Sequence, residues 1–282
     1  MPEGPEVALQ ADWLNMKIFG RPTRWPAPRI SLAILSGRYA KFPMTAPDAW
    51  ISHTATAAES YGKLAWIKCE SDSLVFTFGM TGQFSDVKTQ HSRLQLEFSG
   101  ESGVTTRVYW SDIRNFGTVR WMTNDTLAKK LRLLGPRAIK MTGHEPVPVR
   151  ATLFAENCRK YHPNRTICEA MLDQRCAAGI GNYIKSEALY LAGASPTSPV
   201  WQLSDELLRL IFICAVSIAD TSYAAGGATL STYRSPTGRP GTYQDQLRVY
   251  GRALTPKGER VTKSLTPDGR ATWWVKPEDR VA

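Results

Sequence analysis

DQRCAAGIGNYIKSEALYLAG, residues 173–193, is the stretch whose reading decides how the second half of this chain folds. A helical pattern ends near Asp173, and the short Ala-Ala-Gly-Ile-Gly link that follows turns the chain within a few residues. Gly179 and Gly181 permit backbone shapes there that other residues resist. Asn182 stands where a side-chain amide can cap the next helix, which buries Ala188, Leu189 and Leu191. A helix N-terminus with close glycines can hold a phosphate, but the same pattern describes a plain helical hairpin with a glycine turn. No strand precedes it, so it is not a dinucleotide-binding fingerprint.

Outward from this turn the texture of the chain is uneven. Helical patterns at 150–158, 166–172, 182–192 and 204–219 surround it. A Gly-, Ser- and Thr-rich stretch, 224–242, follows, and then a tail with strand-like pieces at 247–250 and 271–275. Upstream lies a Pro- and Gly-rich connection within 138–150. Before it, strand-like segments occupy 31–39, 62–70, 73–84, 93–98 and 105–110, with a short helix at 127–134. A first helix runs over 6–18, where Val7, Ala11, Leu14 and Ile18 recur at spacings of three and four. Pro5 fits its first turn, and Gly20 stops it. The expected fold class is α+β: an N-terminal two-sheet β-sandwich with a leading helix over 1–137, a linker over 138–150 and a helical domain with a basic appendage over 151–282.

Lys and Arg total 35 against 25 Asp and Glu, a formal charge of +10. That balance favours an anionic partner. Residues 231–282 sharpen it, with ten basic and five acidic side chains. The best membrane-span candidate, 207–216, is short and contains Arg209, so it reads as a buried helix and no membrane partner is expected. The N-terminus lacks the order of a secretory signal, which leaves a bacterial cytoplasm or a eukaryotic nucleus as the expected location. Cys69, Cys158, Cys168, Cys176 and Cys214 are scattered with no CxxC pair, the usage of a reducing compartment, and give no support for a structural zinc site.

Four short stretches can carry chemistry. The chain opens MPEGPEVALQ. Removal of Met1 would expose a secondary amine at Pro2, with a pKa far below that of lysine, able to attack an aldehyde carbon and form an iminium. Glu3 and Glu6 could then move protons or stabilise cations; equally, the stretch can be a stiff helix start with carboxylates at its positive end. In SDIRNFGTVRW, 111–121, Arg114 and Phe116 stand two apart on one side of an extended segment, as a cation and a wedge against a base stack or as a turn arginine and a core ring. Met80, in FGMTGQF, is a second apolar wedge or a core residue. In the tail, Arg270 follows the Pro267-Asp268-Gly269 turn, and Trp273 and Trp274 can anchor a small metal-free domain.

PEGPEV, the Gly62-Lys63 pair, SDIRNFG, DQ…AGIGN, GGATL with QLRVYGR, and GRATWW occur in that order from Pro2 to about Glu278. Together they resemble the formamidopyrimidine-DNA glycosylase and endonuclease VIII family of base-excision repair enzymes. The resemblance implies a helix–two-turns–helix module around Asn182 and a β-hairpin finger over about 247–280. It implies roles: Pro2 as nucleophile, Glu3 and Glu6 as active-site carboxylates, and Lys63, Asn182 and Arg270 as phosphate grips. His91 matches a histidine near the phosphates, and Met80, Arg114 and Phe116 match the trio that fills the space of an everted nucleotide. The partner implied is duplex DNA with an oxidised base or an abasic site, bound by a monomer; no cofactor is required. No cysteine follows Cys214, so four-thiolate zinc is impossible in the tail, and the pattern looks like the zincless-finger branch.

Overall fold

The computed structural model describes residues 2–20, 28–35, 53–100, 105–139, 145–230 and 238–281. These fall into two compact units. One holds Pro2, Glu6–Leu131 and Gly226–Gly241; the other holds Glu3–Pro5, Arg132–Ala225 and Thr242–Ala282. A single cut after residue 137 therefore does not describe the division. The Gly226–Gly241 segment returns to the first unit because the Glu6 carboxylate takes the Ala228 N–H at 2.8 Å.

Helix α1 (Gly4–Leu14) continues as one wider π turn, Asn15–Phe19, and ends at Gly20 as its sequence anticipates. It places Val7, Trp13 and Leu14 in the apolar core of the first unit. Two side chains tie it to strands: Gln10 Oε1 accepts the Phe84 N–H at 2.6 Å, and Asn15 pairs with both backbone groups of Ala58.

Eight strands follow: β1 (Arg29–Ile34), β2 (His53–Tyr61), β3 (Leu64–Cys69), β4 (Asp72–Thr77), β5 (Gly82–Ser85), β6 (Ser92–Ser99), β7 (Thr105–Asp112) and β8 (Thr118–Thr123). They form one antiparallel ladder in the order β5-β7-β6-β1-β2-β3-β4-β8, not two separate sheets. β1 and β2 join at a short corner, where Arg29 and Ile30 face Thr54 and His53. The ladder folds over on itself there. β5 opens the order and β4 is next to last, yet the Phe84 and Phe76 rings lie 4.8 Å apart edge-on, with Trp110 of β7 at 5.0 and 5.1 Å. The expected sandwich thus exists as two halves of one sheet. β6 shows the alternation clearly, with Ser92, Leu94, Leu96 and Phe98 inward. Strand β2 is absent from the sequence reading: HTATAAESY is poor in the branched and aromatic residues that mark strands, and its pairing with β3 shifts register between Ala55 and Ala57.

Helix α2 (Asn124–Arg132) closes this run, starting three residues before the expected helix at 127. The second unit carries α3 (Val147–Tyr161), α4 (Ile167–Leu172), α5 (Asn182–Ala192) and α6 (Asp205–Ala224). α3 begins inside the expected linker, with Pro148 in its first turn, where a missing N–H costs nothing. Of that linker, 140–144 lie outside the described residues. α4 is held by a capping box between Thr166 and Glu169, and Ser204 caps α6. α6 is longer than 204–219 and is long and apolar enough to cross a membrane by length and composition. It buries Leu208, Ile211, Phe212, Ala215, Val216, Ile218 and Ala219, and Phe212 stacks on Phe154 of α3 at 5.3 Å, as in a core helix. The tail ends in a hairpin, β9 (Thr262–Leu265) and β10 (Ala271–Trp274).

Residues 247–250 are not a strand. The Arg248, Val249 and Tyr250 N–H groups all point at the fully buried Glu187 carboxylate of α5, at 2.8 to 3.0 Å. Donors committed to one side chain cannot join a ladder.

Candidate functional site

The site is built from two sets of side chains, one in each unit. In the second, α5 opens without a cap from its own N-cap residue, Gly181. Glu3 takes that place. Its carboxylate accepts the N–H groups of Gly181 at 2.8 Å, Tyr183 at 3.0 Å and Ile184 at 3.3 Å. The Gly4 N–H reinforces the seat by donating to Gly179 O at 2.9 Å. Glu3 is 2% exposed, and the positive end of the helix favours a negative charge at this position. Gly181 is obligatory here: a Cβ on it would stand 2.1 Å from the Glu3 Cδ.

Asn182 does not cap α5; it is the first residue of the helix, and its amide reaches out to donate to Ala271 O at 2.9 Å. That oxygen follows Arg270, so two of the expected phosphate grips meet at one corner. Arg270 is exposed at the end of the hairpin turn. Its carbonyl accepts from the Thr266 N–H and hydroxyl, both at 3.0 Å, and its N–H donates to Asp268 Oδ1 at 3.2 Å. Asp268 in turn pairs with Lys185 of α5, a fully buried lysine. Asn182, Lys185 and Ser186 share one face of α5, at spacings of three and four, and all three engage the hairpin. Tyr250 lies beside Asn182. Burial pushes its phenol up, and the hydrogen bond with Asn182 opposes that rise.

In the first unit, Glu6 is 1% exposed in the first turn of α1, bound to the Ala228 N–H. Ala228 belongs to the Gly-rich segment whose middle, 231–237, lies outside the described residues; Arg234 falls there. The two stems of that segment meet where the Gly241 N–H donates to Thr229 Oγ1 at 3.0 Å. Pro2 is buried at the head of the chain, and Lys63 sits in the two-residue turn between β2 and β3.

The wedge trio converges. Met80 lies in the β4–β5 turn, and Arg114 and Phe116 lie in the β7–β8 connection rather than on an extended segment, since Asn115 between them has φ of 55°. Arg114 still covers the Phe116 ring at 5.0 Å, and its guanidinium reaches Met80 Sδ at 3.1 Å. Phe116 is 52% exposed, a large apolar face held out to solvent. The buried Asp112 organises both loops, accepting from Thr81 Oγ1 at 2.6 Å and the Gly117 N–H at 2.8 Å, while Thr81 Oγ1 accepts the Arg114 N–H. Gly79 lets them touch: at φ of 54°, a Cβ there would lie 2.6 Å from the Phe116 carbonyl carbon. His91 borders the same place, its carbonyl accepting the Asp112 N–H at 3.1 Å.

Sequence reasoning missed Lys185, Asp268 and Asp112. The spacing from Asn182 to Lys185 is a visible signal for the first; nothing local marks the other two.

Residues 1–119 match the family model described as the formamidopyrimidine-DNA glycosylase N-terminal domain, and 142–234 match its H2TH domain. The formamidopyrimidine-DNA glycosylase of Bdellovibrio bacteriovorus is 29% identical over 292 residues, covering 97% of this chain and 98% of that protein. The one from an Exiguobacterium species is 29% identical over 266 residues, covering 91% and 90%. Among solved structures, the Fpg protein of Thermus thermophilus aligns with a TM-score of 0.75 at 27% identity, over 97% of both chains. The Lactococcus lactis Fpg, solved with DNA containing an abasic site, shares the fold at a TM-score of 0.79 and 22% identity, over 97% of both chains.

Proposed function

On the footing that this chain belongs to the formamidopyrimidine-DNA glycosylase family and is a DNA glycosylase of base-excision repair, we propose that it excises oxidised bases through a Schiff base on Pro2 and then cuts the strand. The observation that carries this reading is the Glu3 carboxylate held at the start of α5 by three N–H groups. A pure binding protein has no need of a buried carboxylate fixed one residue from a secondary amine.

The damaged nucleotide leaves the stack, because its C1′ is hidden inside the duplex. Lys63, Asn182 and Arg270 hold the flanking phosphates, and Met80, Arg114 and Phe116 fill the gap. The exposed Phe116 face with a guanidinium over it suits that wedge. The Pro2 nitrogen attacks C1′, the base departs with its bonding electrons, and the sugar ring opens to a cationic iminium. Glu3, as a carboxylate, stabilises that cation and moves protons at the ring. The iminium draws electrons from the C2′–H bond; loss of that proton expels the 3′ phosphate, and a second elimination expels the 5′ phosphate. Hydrolysis of the iminium returns the amine. Glu6, bound to Ala228, couples the active-site helix to the Gly-rich segment that would meet the lesion.

A panel of duplexes, each with one defined oxidised base or abasic site, tests the assignment, with single-stranded and bubble versions alongside. Release of the base and a one-nucleotide gap are expected. Tight binding of damaged duplexes with every strand left intact would leave only a DNA-binding protein of the same fold.

A further inference from the structure

The second unit contains a cluster that the glycosylase reading does not use. His162, at the end of α3, Asp173, just past α4, and Cys176 place one ligand-type atom each within 4.8 Å of one another. Cys158 stands one turn before His162 on α3, and its thiol hydrogen-bonds Cys176. The pattern is Cys-x3-His followed by Asp-x2-Cys, two short-range pairs from separate elements. That is the ligand composition and pairing of four-coordinate zinc sites. The cluster has a dry side and a wet side: both thiols are fully buried, while the His162 and Asp173 side chains are each 17% exposed.

We propose that Cys158, His162, Asp173 and Cys176 bind a soft divalent cation, of which Zn²⁺ is the representative. His162 Nε2 and Asp173 Oδ2 already face each other at 2.8 Å. Tetrahedral coordination at zinc bond lengths needs ligand atoms about 3.3 to 3.8 Å apart, so the required movement is small. Arg175 and His162 hold Asp173 in the ionised form a metal needs. The Arg175 side chain is 53% exposed and can give way to the cation. Binding releases the two thiol protons, and the imidazole proton moves to Nδ1, leaving Nε2 as the ligand. Residue 174, next to the cluster, shows what the cation would hold. Gln174 donates to Leu172 O and Ile180 O and accepts the Gly179 N–H, lacing the turn that leads to Gly181 and Asn182. A cation at the cluster therefore ties α3 to that turn.

The test uses the full chain, reduced, freed of metal by a chelator and titrated with Co²⁺. One equivalent should produce intense visible bands of tetrahedral cobalt and a near-ultraviolet thiolate charge-transfer band, both bleached by Zn²⁺. Cys176→Ser and His162→Gln should each weaken Co²⁺ binding at least about ten-fold, with Cys214→Ser, on α6, unchanged. His162→Gln keeps the test decisive if the buried Cys176→Ser variant does not fold. No thiolate band with all thiols shown to be reduced, or a band that survives both cluster variants, overturns the proposal.

Discussion

Gly181→Ala isolates the seat of the Glu3 carboxylate at the scale of a single residue. The added methyl collides with the Glu3 Cδ, so the carboxylate must leave three N–H groups at the start of α5. Losing a cap costs about 1 kcal/mol, and forcing a methyl into a packed site about 1–3 more. Urea unfolding should show a loss in that range together with a fall in strand cleavage; unchanged stability would contradict the geometry. Asp173 offers a pH signature. Burial pulls its pKa upward, but the Arg175 side chain and N–H and the His162 ring outweigh burial and hold it at about 2, below the ordinary value of about 3.9. A depressed folded-state value means that stability is present above about pH 4 and is lost as pH falls through about 2. Melting temperature against pH should fall less steeply in that window for Asp173→Asn than for the parent. At this scale the sequence is most legible where chemistry forces a residue type, as in Pro2, Glu3 and Glu6. It is least legible where a partner is far away. Asn182 reads as a cap from its place before a helix, but the position belongs to Glu3, 178 residues from the Gly181 N–H that it accepts.

At the scale of elements, the hairpin of β9 and β10 is held by side chains that its own sequence does not advertise. Trp273 packs with Val249, Val275 and Tyr190, and Trp274 donates to Ser264 Oγ across the hairpin at 2.9 Å, so both tryptophans serve the anchoring expected of them. The unforeseen part is polar. Glu259, 4% exposed, accepts from the Tyr190 hydroxyl at 2.6 Å, Thr255 Oγ1 at 2.9 Å and the Val281 N–H at 3.2 Å. The Lys185–Asp268 pair fixes the turn that presents Arg270. Breaking one partner of a buried pair typically costs about 3–5 kcal/mol, whereas replacing both by apolar groups often costs little. Lys185→Met should therefore loosen the hairpin and raise KM for abasic duplex more than it lowers kcat. Lys185→Met with Asp268→Leu should recover most of the stability in denaturant unfolding. Equal stability of the single and double variants would remove the pair from this account. Strand β2 and the 247–250 segment were misread for one physical reason: local composition describes propensity, while an alanine-rich strand and a strand-like segment pinned by Glu187 are decided by tertiary partners.

At the scale of the whole molecule, the charge of +10 and the basic tail give a salt-dependent affinity for DNA. Each phosphate contact contributes about 0.9 to the slope of log affinity against log salt. Arg270→Ala should lower that slope by about one contact for damaged and undamaged duplex alike; an unchanged slope would place Arg270 off the backbone. The ordered set of short motifs made the family legible, because each marks a position where a backbone turn or a reacting group tolerates few residues. The folding of one ladder into two facing layers was not legible, since the corner between β1 and β2 rests on two residue pairs. The central claim, the Pro2 amine, is tested most directly by borohydride trapping on abasic-site duplex, after intact mass establishes that Pro2 is the first residue of the protein used. The account predicts a covalent protein–DNA adduct whose attachment maps to Pro2, and no adduct from protein carrying an uncleaved N-terminal extension. Absence of any adduct from protein that begins at Pro2, or attachment through a lysine, would contradict it.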